Sequence, residues 1–292
     1  MNFSNEQNNR KGILLLLLAI AIFSSMDAIA KSLIVTYPPA QVIWIRFFGQ
    51  MLLVCVTLRH RLPAMVRTRY PLIHFFRAAT QFGATTFFFL SLAHIGLTEA
   101  TTVADINPVL ITLGAALFLG EKLSIARVIG VVVSAIGALI VMRPGSAVLS
   151  VSAIFPLLCA LSYAASALLT RFIGPRESPW ASMFFAALLG TVVAGIAQPF
   201  VWVSVAPGNL GLFILVGCLG TAAQLALIRA YSVAEAAAIA PYSYAGIFFA
   251  CTYSFLLFGV LPDAITLLGI LVIVGAGLYV WVQEKSSTGE QK

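Results

Sequence analysis

Charged side chains are rare inside the long apolar stretches of this chain, and four of them lie toward one edge of these stretches in its first half. They are Asp27, Lys31, Arg46 and Asp105. If these stretches lie in lipid, each charge costs at least about 2.5–3.5 kcal/mol at the midplane of the bilayer. Each therefore needs a partner, water or a task. Two tasks suit these residue types: binding a charged solute and carrying a proton.

The spacing of the four charges predicts one balanced cluster. Asp27 and Lys31 are four residues apart and share one helix face. With a rise of about 1.5 Å per residue, all four would lie roughly 8–13 Å below the same edge of the apolar layer. The cluster has three interpretations: a structural ion-pair network that joins three segments, direct contact with a solute such as a zwitterion, or snorkelling toward lipid headgroups.

Neutral polar side chains form the second group of candidate solute contacts. A proline inside an apolar segment bends the helix and frees backbone groups, which favours the triplet beside Pro241 and makes Pro108 and Pro241 candidate hinges. Polar groups also join helices to one another in lipid, for about 0.6 kcal/mol each, so both roles remain open. His74 and Arg77 are expected to snorkel near the cytoplasmic face. The neutral candidates for the cavity are Gln81, Asn107, Tyr163, Gln224, Tyr242, Ser243 and Tyr244.

The composition indicates which elements carry these residues. Of 292 residues, 61% are hydrophobic and 9% charged, whereas soluble domains have about 45–50% apolar and about 25% charged residues. About 20 apolar residues make a helix that crosses the hydrocarbon core. The sequence therefore predicts an all-α integral membrane protein with ten transmembrane helices. The predicted spans are 12–35, 40–58, 72–95, 98–119, 123–142, 150–173, 180–203, 209–231, 235–258 and 264–282.

Basic residues predict how these spans are oriented. An even number of spans places both termini on one side, and the loops of that side carry many more Lys and Arg residues, such as Arg59, Arg69 and Arg176, than the opposite loops, which contain little beyond Arg143. Positive loops stay in the cytoplasm. We therefore expect cytoplasmic tails at 1–11 and 283–292 in an inner (cytoplasmic) membrane. The net charge of +7 has the same origin and does not indicate a nucleic-acid partner.

The two halves of the chain are similar to each other. Gly130, Val133, Leu139 and Val141 match Gly269, Val272, Leu278 and Val280 at a constant offset. The sequence predicts two five-span repeats, 12–142 and 150–282. Because five is odd, the second repeat enters the membrane in the opposite sense, an arrangement of secondary transporters that place a solute site near the midplane.

Short motifs spread over nearly the whole chain support this reading. They are Phe23-Ser24-Ser25-Met26-Asp27-Ala28-Ile29-Ala30-Lys31, Arg46, Asn107-Pro108-Val109, Phe118-Leu119-Gly120-Glu121-Lys122-Leu123, Ala240-Pro241-Tyr242-Ser243-Tyr244 and Phe258-Gly259-Val260-Leu261-Pro262-Asp263. In these motifs the chain resembles the EamA family of the drug/metabolite transporter superfamily. The resemblance implies ten helices as inverted repeats around a central cavity lined by spans 1, 3, 4, 6, 8 and 9. It also implies transport of metabolites, with the aromatic amino-acid exporters as the best-fitting subgroup.

The function expected from the sequence is therefore secondary export of aromatic and other neutral amino acids by alternating access. The first alternative is uptake of a cationic metabolite such as S-adenosylmethionine, or of a vitamin. The second is an intramembrane enzyme, for which no metal or nucleophile motif is found. The partners expected are a small solute and the lipid bilayer, with no cofactor, no metal and no catalytic residue.

A row of small residues bears on the oligomeric state. Gly130, Ser134 and Ala138 recur every four residues and permit a helix to approach closely. The approaching helix would belong either to the same chain or to a second copy in a homodimer. The sequence leaves both open.

Overall fold

The computed structural model describes residues 3–57, 59, 68–118, 125–142, 154–173, 178–233 and 240–289, and regular secondary structure in these ranges is entirely helical. The ten predicted spans are confirmed as ten helical segments, of which the fourth is interrupted and the described part of the ninth begins with a 3₁₀ helix. The helices are α1 (Phe3–Ile34), α2 (Pro39–Thr57), α3 (Pro71–His94), α4a (Leu97–Ala104), α4b (Asn107–Phe118), α5 (Ile125–Met142), α6 (Ile154–Ile173), α7 (Pro179–Val201), α8 (Pro207–Val233), a 3₁₀ helix (Ala240–Tyr244), α9 (Ala245–Phe258) and α10 (Ala264–Gly289).

Length and composition allow several of these helices to cross a membrane on their own. Within the described ranges, five stretches are long and apolar enough, and three shorter apolar helices accompany them. The five are 10–34, 39–57, 180–201, 207–227 and 264–283. Together with the shorter helices they make the chain a multi-pass membrane protein.

Local sequence fixes where the helices begin and end. Four of them begin with a proline, whose missing N–H falls where a helix has no partner for it. The side chain of Ser178 accepts a hydrogen bond from the Trp180 N–H at the start of α7. Gly259, in the left-handed region at φ 66°, ends α9. The sequence also predicts turns at Arg61-Leu62-Pro63, Gly120-Glu121-Lys122, Arg143-Pro144-Gly145 and Gly174-Pro175, and these turns lie outside the described residues.

The two spans that contain the paired prolines both depart from a continuous α-helix. Pro108 has no N–H to donate to the Ala104 carbonyl, and the helix breaks at Asp105 between α4a and α4b. In the second half, a 3₁₀ helix that contains Pro241 precedes α9. The breaks lie where the bends were predicted, and a hinge role for the two prolines stays a proposal.

Helix packing relates the two halves of the chain. The main contacts join α1 to α8, α3 to α6, α2 to α7 and α5 to α10. If each helix of the first half is exchanged with its counterpart five helices later, the α1–α8 contact becomes the α6–α3 contact. The α2–α7 and α5–α10 contacts each join two counterparts and are unchanged by the exchange. The contacts are therefore those of two similar five-helix units related by a two-fold exchange.

Side-chain contacts give the relative direction of the two units. Gly130, near the start of α5, packs against Val280 near the end of α10, while Gly269, near the start of α10, packs against Val141 near the end of α5. The constant sequence offset relates the same four residues, as Gly130 with Gly269 and Val141 with Val280. The start of each of these two helices lies against the end of the other, so α5 and its counterpart α10 run antiparallel. The predicted inverted arrangement is therefore confirmed.

The α2–α7 pair repeats this arrangement. Gln41, near the start of α2, exchanges hydrogen bonds with the backbone of Val203, just beyond the end of α7. Gln50, farther along α2, donates to the Met183 carbonyl near the start of α7 at 3.3 Å. The repeat boundaries at 12–142 and 150–282 are not tested by these contacts and stay predictions.

The row of small residues on α5 is used inside this chain. Gly130 contacts Val280, Ala138 clusters with Ile273 of α10, and Ser134 is fully buried. The close approach therefore joins α5 to α10 within one copy. A homodimer stays a prediction with no support from this row.

The close approach of α2 to α8 at Gly49 provides a test of the helix packing. A methyl group at Gly49 of α2 would lie 2.9 Å from the Gly217 Cα of α8. Gly49→Ala should force the two helices apart and destabilise the protein by about 1–3 kcal/mol. Thermal unfolding in detergent, followed by tryptophan fluorescence, measures the effect.

The matched control for that substitution is Gly211→Ala on α8. Nothing lies within 4 Å of a methyl group there. Alanine in an exposed helical position should leave stability unchanged or raise it by about 0.5–1 kcal/mol. Equal melting temperatures for the two variants would contradict the close α2–α8 contact.

Candidate functional site

A small polar cavity lies between helices from both halves of the chain. Its walls come from α2, α3, α7 and α8, which are two pairs of counterparts under the exchange. In a bundle this apolar, the concentration of polar groups in one place marks a candidate site. The lining residues are Arg46, Phe47, Gln50, Arg77, Gln81, Met183, Ala186 and Gln224.

The resemblance implied a cavity lined by spans 1, 3, 4, 6, 8 and 9, and this expectation is corrected in part. The observed cavity has α3 and α8 in its walls, but α2 and α7 replace the others. Of the helices expected in the walls, α1 lies against α9, and α4b lies against α6.

Arg46 is held on the cavity wall by contacts from two helices. Its side chain is 6% exposed, its Nη1 donates to Thr85 Oγ1 at 2.6 Å, and its Nε faces Met26 Sδ at 3.4 Å. The guanidinium also lies over the Phe47 ring, 5.1 Å from its centroid. Asp27 of α1 is close enough to act on it electrostatically.

Arg77 is the second cationic group of the cavity, and here the sequence expectation was wrong. Instead of snorkelling to the membrane surface, its side chain is 6% exposed and reaches into the bundle. Nε donates to Thr170 Oγ1 at 2.6 Å, and Nη1 donates to the Ser182 carbonyl at 2.9 Å. Arg77 thus joins α3 to α6 and α7.

Glutamines supply the neutral polar part of the cavity wall. The Oε1 of Gln81 accepts a hydrogen bond from Ser166 Oγ at 3.2 Å. Gln224 lies on the cavity wall from α8. Gln50 also lines the cavity and was not predicted. Amide groups donate and accept, so they can orient a solute in either polarity.

The cavity is too small for a metabolite in this conformation. It has room for about one water molecule, whereas pockets for small molecules are typically about 300–1,000 Å³. A solute could enter only after the walls move apart. The structure therefore represents a closed state of the bundle.

Of the four charges in the predicted cluster, Asp27 lies within electrostatic range of Arg46, whereas Lys31 is held by other groups. Arg46 is on the cavity, but Lys31 donates to the carbonyls of Leu92 and Ile95 at 3.0 and 2.7 Å. These carbonyls lie at the end of α3, where a helix leaves acceptors unsatisfied and its dipole favours a cation. Glu99 of α4a is the acid that acts electrostatically on Lys31. Lys31 thus has the contacts of a structural residue.

Asp105 lies at the break between α4a and α4b, and not among the cavity-lining residues. Its Oδ2 is buried without a hydrogen-bond partner among the described residues, and it faces Gly246 of α9. Asp27 is half-buried on α1. Both carboxyl groups lie within electrostatic range of the buried Cys159 of α6. The two acids therefore both lie near Cys159 on α6.

The remaining predicted residues lie outside the cavity wall. Asn107 begins α4b and is half-buried, and Tyr163 lies on α6 within electrostatic range of Arg77. Tyr242 is 42% exposed and Ser243 is half-buried. Tyr244 packs in an apolar cluster with its hydroxyl against Gly277 of α10. The triplet therefore does not form one polar surface toward the cavity.

Metal binding has no support in the described part of the chain, where no group of three His, Cys, Asp or Glu side chains could hold an ion. The site consists of guanidinium, amide, hydroxyl and aromatic groups. Such groups can hold a solute by hydrogen bonds and stacking, without covalent chemistry.

Antiparallel apolar helix pairs around a closed polar cavity define a multi-pass membrane transporter. Residues 10–143 match the EamA-like transporter family. The chain is 31% identical to the pseudopaline exporter of Pseudomonas aeruginosa over 91% of this chain and 94% of that protein. It therefore belongs to the EamA-like transporter family and is a transporter of small solutes rather than an enzyme.

Other similar proteins carry different solute names. The S-adenosylmethionine uptake transporter of Rickettsia bellii is 24% identical, over 96% of each chain. The riboflavin transporter of Rhizobium johnstonii is 28% identical, over 94% of this chain and 91% of that protein. One crystal structure matches with a TM-score of 0.68 over 97% of this chain and 99% of the other, at 16% identity, which shows the fold alone.

The contacts of Lys31 lead to a prediction that separates a structural role from a solute contact. Lys31→Met should lower the free energy of unfolding by about 1–3 kcal/mol, because it leaves the last carbonyls of α3 unsatisfied. The KM for the transported solute should stay within about twofold of the wild-type value. Thermal unfolding and proteoliposome kinetics measure the two quantities.

Ser32→Ala is the neighbouring control, since the Ser32 hydroxyl bonds only to carbonyls of its own helix. It should change neither quantity. A large rise in KM for Lys31→Met with unchanged stability would contradict the structural role.

Proposed function

We propose that this chain exports aromatic and other neutral amino acids across the cytoplasmic membrane by alternating access. The observation that carries the proposal is the closed polar cavity between two inverted five-helix units. A site at such an interface can face each side of the membrane in turn when one unit rocks against the other. The breaks at Pro108 and Pro241 are candidate hinges for that motion.

The cavity walls favour an amino acid over a purely apolar solute. Arg46 offers donors to a carboxylate, Gln81 and Gln224 offer amide groups, and Phe47 offers an aromatic surface to an apolar side chain. Phe82 extends this surface, with its ring centroid 5.6 Å from that of Phe47. An exporter of the family, 31% identical to this chain, supports the direction proposed.

Uptake of a cationic metabolite such as S-adenosylmethionine, or of a vitamin, is the second candidate. The names of the relatives from Rickettsia bellii and Rhizobium johnstonii favour it. The cavity disfavours a cation, because two guanidinium groups line it and no acid of the described residues does.

Counterflow in proteoliposomes tests the proposed function. Vesicles loaded with unlabelled phenylalanine should accumulate labelled phenylalanine above protein-free vesicles, at defined pH gradients. Labelled S-adenosylmethionine and riboflavin are run in parallel. If only one of those two accumulates, the proposed solute is wrong, and if nothing accumulates at any gradient, the proposed function is wrong.

Gln81→Leu tests the cavity in the same assay. The substitution removes an amide from the wall and should raise KM about 5- to 13-fold, since a hydrogen bond contributes about 1–1.5 kcal/mol. Gln283→Leu makes the same change at an exposed position near the end of the described chain and should leave KM unchanged. Equal KM values for both variants would remove Gln81 from the site.

The proposed orientation has a separate test. Both termini should be cytoplasmic because the basic loops share their side. A cysteine added at the C-terminus should resist a membrane-impermeant thiol reagent in intact cells and react after lysis. Reaction in intact cells would show that the C-terminus faces outward. That result would contradict the proposed topology.

A further inference from the structure

We infer that Arg46 and Arg77 together bind the carboxylate of the transported solute, and that this site does not require the ammonium group. The inference rests on the proposed function and names the part of the amino acid that the cavity recognises. Arg46 lies on α2 and Arg77 on α3, and both line the same small cavity.

Each guanidinium is fixed on one side and open on the other. Arg46 uses Nε and Nη1 toward Met26 and Thr85, and Arg77 uses Nε and Nη1 toward Thr170 and Ser182. A guanidinium has five N–H donors in a planar fork. In both residues Nη2 has no hydrogen-bond partner among the described side chains and backbone groups. The unused donors are therefore available to an acceptor in the cavity.

The buried guanidinium groups of Arg46 and Arg77 have no ion-paired carboxylate among the described residues. A buried guanidinium is costly unless a carboxylate or another anion pairs with it. Within the described part of the chain, neither guanidinium forms an ion pair. Asp27 acts on Arg46 electrostatically without an ion-pair contact, and no carboxylate of the described residues is among the groups that act on Arg77. The cavity is thus short of negative charge, and a solute anion would supply it.

Carboxylate is the anion that suits the geometry and the size of the site. Arginine binds carboxylates through two parallel hydrogen bonds. Gln50 and Gln81 lie beside the guanidinium groups and can accept or donate at the remaining positions. An ammonium group would meet two cations and, among the described residues, no carboxylate on the wall. We therefore expect the carboxylate to be required and the ammonium to be dispensable.

Ligand-induced thermal stabilisation of the purified protein in detergent tests this inference without relying on transport. A ligand that binds the folded state raises the melting temperature according to its affinity. The probes are phenylalanine, N-acetylphenylalanine without the ammonium, phenylalaninamide without the carboxylate, and phenyl phosphate as a different anion. Phenylalanine and N-acetylphenylalanine should bind within about threefold of each other, and phenylalaninamide at least about tenfold more weakly.

The variants are chosen so that unfolding of the protein can be distinguished from loss of carboxylate binding. Arg77→Gln should abolish the preference for phenylalanine over phenylalaninamide, and Arg77→Lys should keep part of it because the charge remains. Arg69→Gln makes the same change at an exposed position before α3 and should keep the full preference. If Arg77→Gln does not fold, Arg46→Lys and Arg77→Lys together should still reduce the preference.

Three outcomes would overturn the inference. Phenylalaninamide could bind as well as phenylalanine, Arg77→Gln could keep the wild-type preference, or phenyl phosphate could bind much more tightly than either carboxylate. A protein that binds carboxylates selectively but fails in counterflow would instead contradict only the proposed function. A protein that transports phenylalanine and phenylalaninamide equally would contradict only this inference.

Discussion

Two guanidinium groups buried between apolar helices are the constraint on which the centre of this protein depends. A charge in lipid costs several kcal/mol unless the protein solvates it. Arg46 and Arg77 are solvated by Thr85, Thr170 and the Ser182 carbonyl, which lie on α3, α6 and α7. These bonds can form only if α2, α3, α6 and α7 converge, so the arginines and the helix positions determine each other.

The inverted pairing of helices places this polar centre where it can be used. Counterpart helices run antiparallel, as the reciprocal contacts of Gly130 with Val280 and of Gly269 with Val141 show. A cavity whose walls are α2 with α7 and α3 with α8 lies at the junction of the two units. Under the proposed mechanism, movement of one unit relative to the other would change the shape of the cavity, because its walls belong to both units. In this closed state the cavity between the two units has room for about one water molecule.

Much of the fold could be predicted because lipid imposes simple rules on sequence. Span lengths follow from the thickness of the bilayer, and helix ends follow from prolines and glycines such as Pro39 and Gly259. The inversion follows from an odd number of spans per repeat. These features depend on neighbouring residues or on counting, and a single sequence contains that information.

The candidate site was predicted less well because it depends on distant contacts. Depth along α3 can be estimated from sequence, but the direction in which Arg77 points is decided by Thr170, 93 residues later. Lys31 was grouped with Asp27 by spacing, whereas its acceptors are at the end of α3, 61 and 64 residues away. Arg46, Gln81 and Gln224 were found because a polar group in an apolar span is conspicuous in itself. Polar side chains every four residues on α6, at Ser162, Ser166 and Thr170, are the signal that could have turned Arg77 inward.

The central claim is that the cavity between the two inverted units opens to each side of the membrane in turn. The most direct measurement is thiol accessibility of Gln224→Cys in proteoliposomes, with Cys55, Cys159, Cys218 and Cys251 replaced. A membrane-impermeant reagent should label the introduced cysteine when added on either side, and saturating solute should slow the labelling from both. Labelling from one side only, whatever the solute, would contradict alternating access at this cavity.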